Sequence, residues 1–512
     1  MSRPRDRLLF VTNSEYGQTT VMLAVIHELL VRDEFDIHVA SHSPLLPRVR
    51  ELVETHRHAY PRPFVVSSGE EETSTGDDKP KVVFHTISGL SVQELLVRDN
   101  LDREMPHPPG VSGAILSYDR IADYNIRYTG PEYMERYHSC VDIIKRVDPV
   151  LAIVDPAVNP GLDACLQLGQ KHMILSPLPY FVTINSEQPN AAALWKYPAL
   201  SSGFPYPLPW YLIPANIYLN LRFIWSILND PRIKAINQAR AQEGLKGPIP
   251  MFVSYNKDRL YLLPDLPELD YPYHIPDNVI GCGPMVLPSA PLSAVDPELD
   301  QWLSRGGPTV VINLGTHFLF DAAQARAIAT GLKAVMARKP DLRVLWKLKS
   351  KKGDAVITDH EEVLAEEIKA GRARIVPWLK ADPIVVLQNE NVVCSVHHGG
   401  ANSFYEACKV GVPHVVLPQW WDTYDFARKA EYLGIGAYGN RSSAPRVEAD
   451  EFREALEFAL SPEAAAKARI IRDICASKKE GRVWACEEIT KLARSGGVFG
   501  VEKGKLEENG SS

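Results

Sequence analysis

Residues 397–422, HHGGANSFYEACKVGVPHVVLPQWWD, concentrate the residue types of this 512-residue chain that could do chemistry. The apolar, β-branched run before them predicts a buried strand over 392–396. His398-Gly399-Gly400 follows, where glycines let the backbone turn sharply and a ligand come close. Asn402 and Ser403 are N-cap types and open a helix, Gly411 stops it, and 412–417 forms the next strand. The start of such a helix exposes backbone N–H groups at the positive end of the dipole, a ready anion site. His398, Asn402 and Ser403 add side-chain donors beside it. Glu406, one turn in, is placed to accept from a diol such as the two hydroxyls of a ribose. Together these groups suit a nucleotide diphosphate that carries a sugar.

The elements that must position this segment alternate along the chain. Strand-like runs fall at 8–12, 35–40, 81–87, 150–154 and 172–175, with helical runs at 19–30, 47–55 and 132–147. After Gly307 the alternation restarts with strands at 310–314, 343–347 and 374–376 and helices at 322–337 and 361–369. Helices at 449–460, 462–478 and 481–495 close the chain. This is the pattern of an α/β protein with parallel sheets wrapped by helices. The acidic run 67–80, SSGEEETSTGDDKP, reads as a surface loop, and 263–294 as a proline- and glycine-rich linker.

Bulk properties exclude some functions. The net charge of −7, with 23% charged residues, argues against a nucleic-acid binder, which would show a clustered basic excess. Seven scattered cysteines form no CxxC pair, which fits a reducing compartment and no structural zinc. The N-terminus has no long apolar run of the signal-peptide kind, and the C-terminus is polar with no anchor helix. A cytoplasmic enzyme is the expectation. Residues 197–221 carry no charge, but Pro198, Pro205, Pro207, Pro209 and Pro214 interrupt any helix there. The helix that fits, 215–228, is shorter than the roughly 20 residues that span a bilayer. Two readings stand: a buried helix behind a proline-rich loop, or an apolar stretch at 204–228 that forms a lip over a pocket or touches a membrane surface.

These residues carry a family resemblance. Trp378, the run His398 to Ser403, Glu406, Gly411-Val412-Pro413, Pro418 and Asp422 resemble the donor signature of UDP-sugar-dependent glycosyltransferases. Trp302-Leu303 ahead of Val310 to Thr316, and Asp148-Pro149 ahead of Val150 to Asp155, are similar to two further stretches of that family. Gly17-Gln18 and the DTYDFA after Trp421 look closest to its fungal branch. The resemblance implies a GT-B type fold, two Rossmann-like domains facing across a cleft, with a C-terminal helix crossing back to the first. It implies an acceptor-binding domain at 1–262, a linker at 263–306, a donor-binding domain at 307–478, and the crossing helix with a polar tail at 479–512. It also implies inverting transfer of a sugar, glucose first, from a UDP-sugar co-substrate to a small lipophilic acceptor, with no metal and no cofactor. No DxD motif is present to hold a bridging cation. Donor contacts are expected from Gly315, Thr316, Trp378 (stacked on the base), His398, Gly400, Asn402, Ser403, Glu406, Asp422 and Thr423.

Two departures matter. Asp422-Thr423 replaces the family's Asp-Gln pair at the sugar, and Thr423 reaches less far. The family's base is a histidine after a glycine in the first loop, where this chain has Gln18 after Gly17. An amide takes no proton at neutral pH, so Gln18 can position a hydroxyl but not activate it. The base is then Asp155, which matches the family aspartate, or Glu15 in the same loop, or His42 or His85 moved into the vacancy; or the acceptor is itself acidic. Asp155 ranks slightly ahead of Glu15, while His27 and His397 read as packing residues. Two other functions compete: an epimerase or phosphorylase on the same fold, and a nucleotide-sugar or lipid binder that turns over little, for which Gln18 is the best support. A dinucleotide oxidoreductase is disfavoured because the first strand lacks GxGxxG after it.

Overall fold

The computed structural model describes residues 5–68, 81–99, 105–251, 255–315, 318, 321–348 and 358–495. Their strands form two parallel sheets. The first contains β1 (Arg7–Val11), β2 (Asp36–Ser41), β3 (Val65–Ser68), β4 (Lys81–Thr86), β5 (Leu151–Val154), β6 (His172–Leu175), β7 (Tyr261–Leu263) and β8 (Val279–Gly281). Their order is β3-β4-β2-β1-β5-β6-β7-β8. The second contains β9 (Thr309–Asn313), β10 (Arg343–Lys347), β11 (Ala373–Val376), β12 (Val392–His397), β13 (His414–Val416) and β14 (Gly436–Tyr438), ordered β11-β10-β9-β12-β13-β14. The central strands read as continuous apolar runs, LLFV in β1 and LAIV in β5, because helices cover both faces of each sheet. In each sheet the strand order reverses beside the first strand, between β1 and β5 and between β9 and β12. A crevice opens at such a reversal, outside the carboxyl ends of the strands.

The last helix, Gly481–Arg494, crosses back to the first sheet's layer. Its Ala485, Cys486, Ile489 and Leu492 share a core with Val21, Val25 and Leu29 of the first helix, Tyr16–Arg32. Lys171 fastens the end of the crossing helix, its Nζ donating to the Leu492 carbonyl at 2.7 Å. A second tie is buried. Lys429, on the second domain's helix Thr423–Tyr432, lies 3.3 Å from Asp265 and 2.8 Å from Asp270, all three fully buried. Burial holds the Asp270 carboxyl well above its usual range, against the pull of Lys429.

Several expectations need correction. The first sheet runs past residue 262, and β8 lies inside the span expected as linker. Three-residue strands in proline-rich chain are too short to show a period. The acidic stretch contributes β3 up to Ser68, while residues 69–80 and the polar tail from 496 lie outside the described residues. The helix expected at 361–369 is two short ones, Asp359–Val363 and Ala365–Lys369. The helix Ile213–Asn229 is not a buried one: only Asn216, Leu219 and Ser226 are buried. Just ahead of it, Trp210 is 80% exposed, and Tyr218, Leu221, Ile224, Trp225 and Leu228 continue an exposed apolar face at helical spacing. Among the described residues no helix is long and apolar enough to cross a membrane.

Candidate active site

The crevice of the second sheet is built from the ends of β9 and β12. After β9 the chain turns through Gly315 at φ +76, and after β12 through Gly399 at φ +90. Both values favour glycine. The His398 imidazole lies between two glycine backbones: a Cβ on Gly315 would come within 2.7 Å of its Cε1, and one on Gly400 within 2.6 Å of its Nε2. The helix Ala401–Val410 begins immediately after, capped by Gly400 and ended by Gly411 in the left-handed region. Asn402 and Ser403 therefore sit in the first turn and not at the cap. Glycine wins that place because a Cβ there would strike the imidazole. The arrangement brings His398, Gly400, Asn402 and Ser403 together at the helix start beside Gly315. Thr316 lies outside the described residues.

His397 points the other way. It is buried, its Nε2 2.9 Å from His414 Nδ1, and burial pushes its pKa well down. Glu406 is half-buried and faces Thr20 and Val21 of the first helix across the domain junction. Burial pushes its pKa up to about 8, with the Asp382 charge adding to the shift. Trp378, in the loop after β11, is 51% exposed, and one face of its ring meets the Lys347 ammonium at 4.3 Å. Asp422 is half-buried at the start of the helix Thr423–Tyr432, and burial pushes its pKa up to about 7. Thr423 is a correction. It is 2% exposed, and its hydroxyl is used by the backbone N–H and carbonyl of Trp420. It shapes the turn before Asp422 and does not reach toward a sugar.

On the opposite wall, Glu15 caps the helix Tyr16–Arg32, and Gly17 and Gln18 lie in its first turn. Asn402 Nδ2 donates to the Gly17 carbonyl at 2.9 Å, so this turn touches the start of the donor-side helix. The Gln18 side-chain oxygen accepts from Asn13 Nδ2. Glu15 is half-buried, accepts from the Gln93 backbone N–H at 3.0 Å, and has its pKa raised by burial. Asp155, at the end of β5, is 0% exposed. Its oxygens accept from the Ala157 N–H at 2.9 Å and the Thr12 hydroxyl at 3.5 Å. Burial raises its pKa to about 6 against those bonds. It braces the loop after β1 from below and presents no oxygen to the cleft. His42 and His85 do not fill the vacancy at Gln18: both are buried, His42 beside the Ile87 carbonyl at 3.2 Å and His85 against His38 at 2.9 Å. His27 packs on Tyr60.

A cavity of about 160 Å³ opens next to Asp422, lined by Met105, His107, Leu116, Arg120, Ile121 and Tyr124 of the first domain and by Trp420 and Trp421 of the second. His107 ties these walls together. Its Nδ1 donates to the Pro108 carbonyl at 2.9 Å, and its Nε2 accepts from the Trp421 backbone N–H at 2.9 Å. Burial pushes its pKa down to about 4, so it stays neutral in this role. Trp421 is held at φ +44, a strained value that costs about 1–3 kcal/mol and persists only where surroundings enforce it. No sequence signal marks His107, which lies in the aperiodic run MPHPPG. Among the described residues no group of three His, Cys, Asp or Glu side chains could hold a metal ion.

Comparison with known proteins agrees with this geometry. Residues 217–463 match the family described as "UDP-glucoronosyl and UDP-glucosyl transferase". Glycosyltransferase sdnJ of Sordaria araneosa is 40% identical over 467 residues, covering 88% of this chain and 87% of that protein. Phloretin 4'-O-glucosyltransferase of Malus domestica is 31% identical over 208 residues, 36% of this chain and 41% of that one. Among solved structures, a UDP-glucosyltransferase from Polygonum tinctorium that glucosylates indoxyl aligns with a TM-score of 0.61 at 15% identity, covering 97% of this chain and all of that one. That last likeness is one of fold.

Proposed function

The chain belongs to the UDP-glycosyltransferase family, and from that premise we propose that it transfers a sugar, glucose first, from a UDP-sugar to a hydroxyl of a small lipophilic acceptor with inversion. The observation that carries this reading is the crevice at the β9–β12 reversal. There His398, the start of the helix Ala401–Val410 and Gly315 converge, with the first domain's Gly17 in hydrogen-bond contact with Asn402. A diphosphate at that helix start is met by backbone N–H groups and an imidazole in place of a bridging cation. Trp378 offers an exposed ring to the base, Glu406 a carboxyl group to the ribose, and Asp422 one to the sugar, beside the mostly apolar cavity. In the step itself, the acceptor oxygen bonds to the anomeric carbon from the face opposite the diphosphate. The carbon–oxygen bond to the diphosphate breaks, its electron pair leaves on UDP, and the acceptor proton passes to a carboxylate. Glu15 is favoured over Asp155 for that proton, since Asp155 is enclosed and its oxygens are occupied.

The test is a donor panel of UDP-glucose, UDP-galactose and UDP-N-acetylglucosamine against phenols, alcohols and terpenoid alcohols, read by mass spectrometry and proton NMR. The reading expects a glycoside of inverted configuration and one UDP released per product. UDP held without turnover, or a donor sugar epimerised and not transferred, would contradict it.

The exposed face at Trp210 to Leu228 supports a further part of the reading, docking at a lipid surface. Arg222 is the only charge on the helix Ile213–Asn229, and its inner face shares a core with Ala114 and Tyr118, next to the cavity wall. Tryptophan and tyrosine beside aliphatic residues suit the membrane interface. Flotation with phosphatidylcholine vesicles should carry the protein upward, and a Leu221→Glu, Trp225→Glu double variant should stay behind. Flotation unchanged by the variant, or a dimer lost with it, would count against lipid docking. The seven cysteines are all free, which fits a cytoplasmic, reducing location.

A further inference from the structure

We propose that Lys347 is a further catalytic residue of the donor crevice: its ammonium meets the diphosphate of the bound nucleotide sugar and takes up part of the charge that departing UDP gains. The inference rests on the reading that a nucleotide diphosphate binds at the β9–β12 reversal, and it adds a group that reading did not include.

Lys347 is the last residue of β10, paired in register with Asn313, the last residue of β9. It thus ends at the carboxyl edge of the sheet where the crevice opens. The side chain is only 8% exposed. Its Nζ lies 3.1 Å from Asn313 Oδ1 and 3.4 Å from the Gly315 carbonyl, and 4.3 Å from the centre of the Trp378 ring. Gly315 is the residue on which the His398 imidazole rests. Ammonium and imidazole therefore flank one glycine, with the tryptophan on the far side of the ammonium. Lys347 thus touches both Trp378, the ring proposed for the base, and Gly315, on which the proposed diphosphate partner His398 rests.

Electrostatics favour this role. When the anomeric bond breaks, the diphosphate gains one full negative charge. A helix start supplies only about half a positive charge, and a neutral imidazole adds a hydrogen bond but no net charge. A whole cation in a crevice of low dielectric does more, because it is already oriented when the charge develops. Four methylenes let the ammonium swing from the Gly315 carbonyl to a phosphate oxygen without backbone movement. The competing role is packing, in which Lys347 only steadies the Trp378 ring for base stacking.

Titration calorimetry on the full chain separates the two, with UDP and uridine as ligands and Lys347→Met and Lys347→Arg as variants. Contact with the diphosphate predicts that Lys347→Met weakens UDP by about tenfold or more and uridine by less than about twofold. It also predicts that kcat with UDP-glucose falls, and that Lys347→Arg restores most of both. Retained uridine binding shows that the variant is folded. Equal losses for UDP and uridine, or no loss for either, overturn the inference. If the unaltered protein binds no UDP, the proposed donor site itself fails and Lys347 with it.

Discussion

The donor wall and the acceptor wall of the cleft hold their polar groups by different means. On the donor wall, the groups come from one short segment. Strand β12, two glycines and the helix Ala401–Val410 place His398, Asn402 and Glu406 within nine residues of chain, while Gly315, Lys347, Trp378 and Asp422 are brought from elsewhere. On the acceptor wall, position depends on contacts between distant parts of the chain. His107 reaches Trp421, more than three hundred residues away in sequence, and Ser201 donates its backbone N–H to Asp425 at 3.0 Å. A local motif of this kind, a helix start with the side chains beside it, depends little on the rest of the chain. A wall assembled from long-range contacts depends on the whole fold for its shape.

Breaking each wall should therefore give different symptoms. The largest effect is expected on the donor side. His398→Ala removes a donor aimed at the leaving diphosphate and should lower kcat by about 10²–10³-fold in steady-state assays with UDP-glucose. Unchanged kcat would remove His398 from the reaction. Next comes Trp378→Ala. Loss of a stacking ring should weaken UDP and uridine alike by about 1–3 kcal/mol in calorimetry, unlike Lys347→Met, which spares uridine. Loss confined to UDP would place the base elsewhere.

On the acceptor side, His107→Ala leaves the Trp421 N–H without its partner and frees a strained residue. Thermal unfolding should show about 1–3 kcal/mol lost, and the acceptor KM should rise with UDP affinity unchanged. A rise in the UDP dissociation constant of the same size would show that the two walls are not separable in this way. The smallest effect is on pH dependence. Burial raises the Asp422 pKa to about 7, so below that pH its carboxyl is protonated and accepts fewer hydrogen bonds from the sugar. The value of kcat/KM for the UDP-sugar should rise with pH and level off above about 7, and Asp422→Asn should flatten that step. A step that survives the substitution belongs to another group.

The same division explains what the sequence made legible. The strands β1, β5, β9 and β12 are buried apolar runs bounded by turn residues, and the donor helix announces itself through the glycine turn before it and Gly411 after it, although its cap is Gly400 and not Asn402 or Ser403. All of that is local. Thr423 was expected at the sugar because it follows Asp422, but its short hydroxyl finds the Trp420 backbone first. Asp155 is expected as a base because it matches the family aspartate, and only the folded chain reveals that Thr12 and Ala157 occupy its oxygens. Lys347 looked like the end of a strand, and His107 lay among prolines. Their significance comes from neighbours that no window of sequence contains. The short strands β7 and β8 were hidden for the same reason, and of the two readings the sequence left open for the helix Ile213–Asn229 the fold favours the exposed one.

On the proposed reading, protein groups and not a bridging cation neutralise the departing diphosphate. The most direct test is the initial rate of UDP-sugar turnover after exhaustive treatment with a chelator, compared with the untreated enzyme. The account predicts equal rates, and no gain when magnesium or manganese is returned. Activity lost to the chelator and restored by either cation would contradict it.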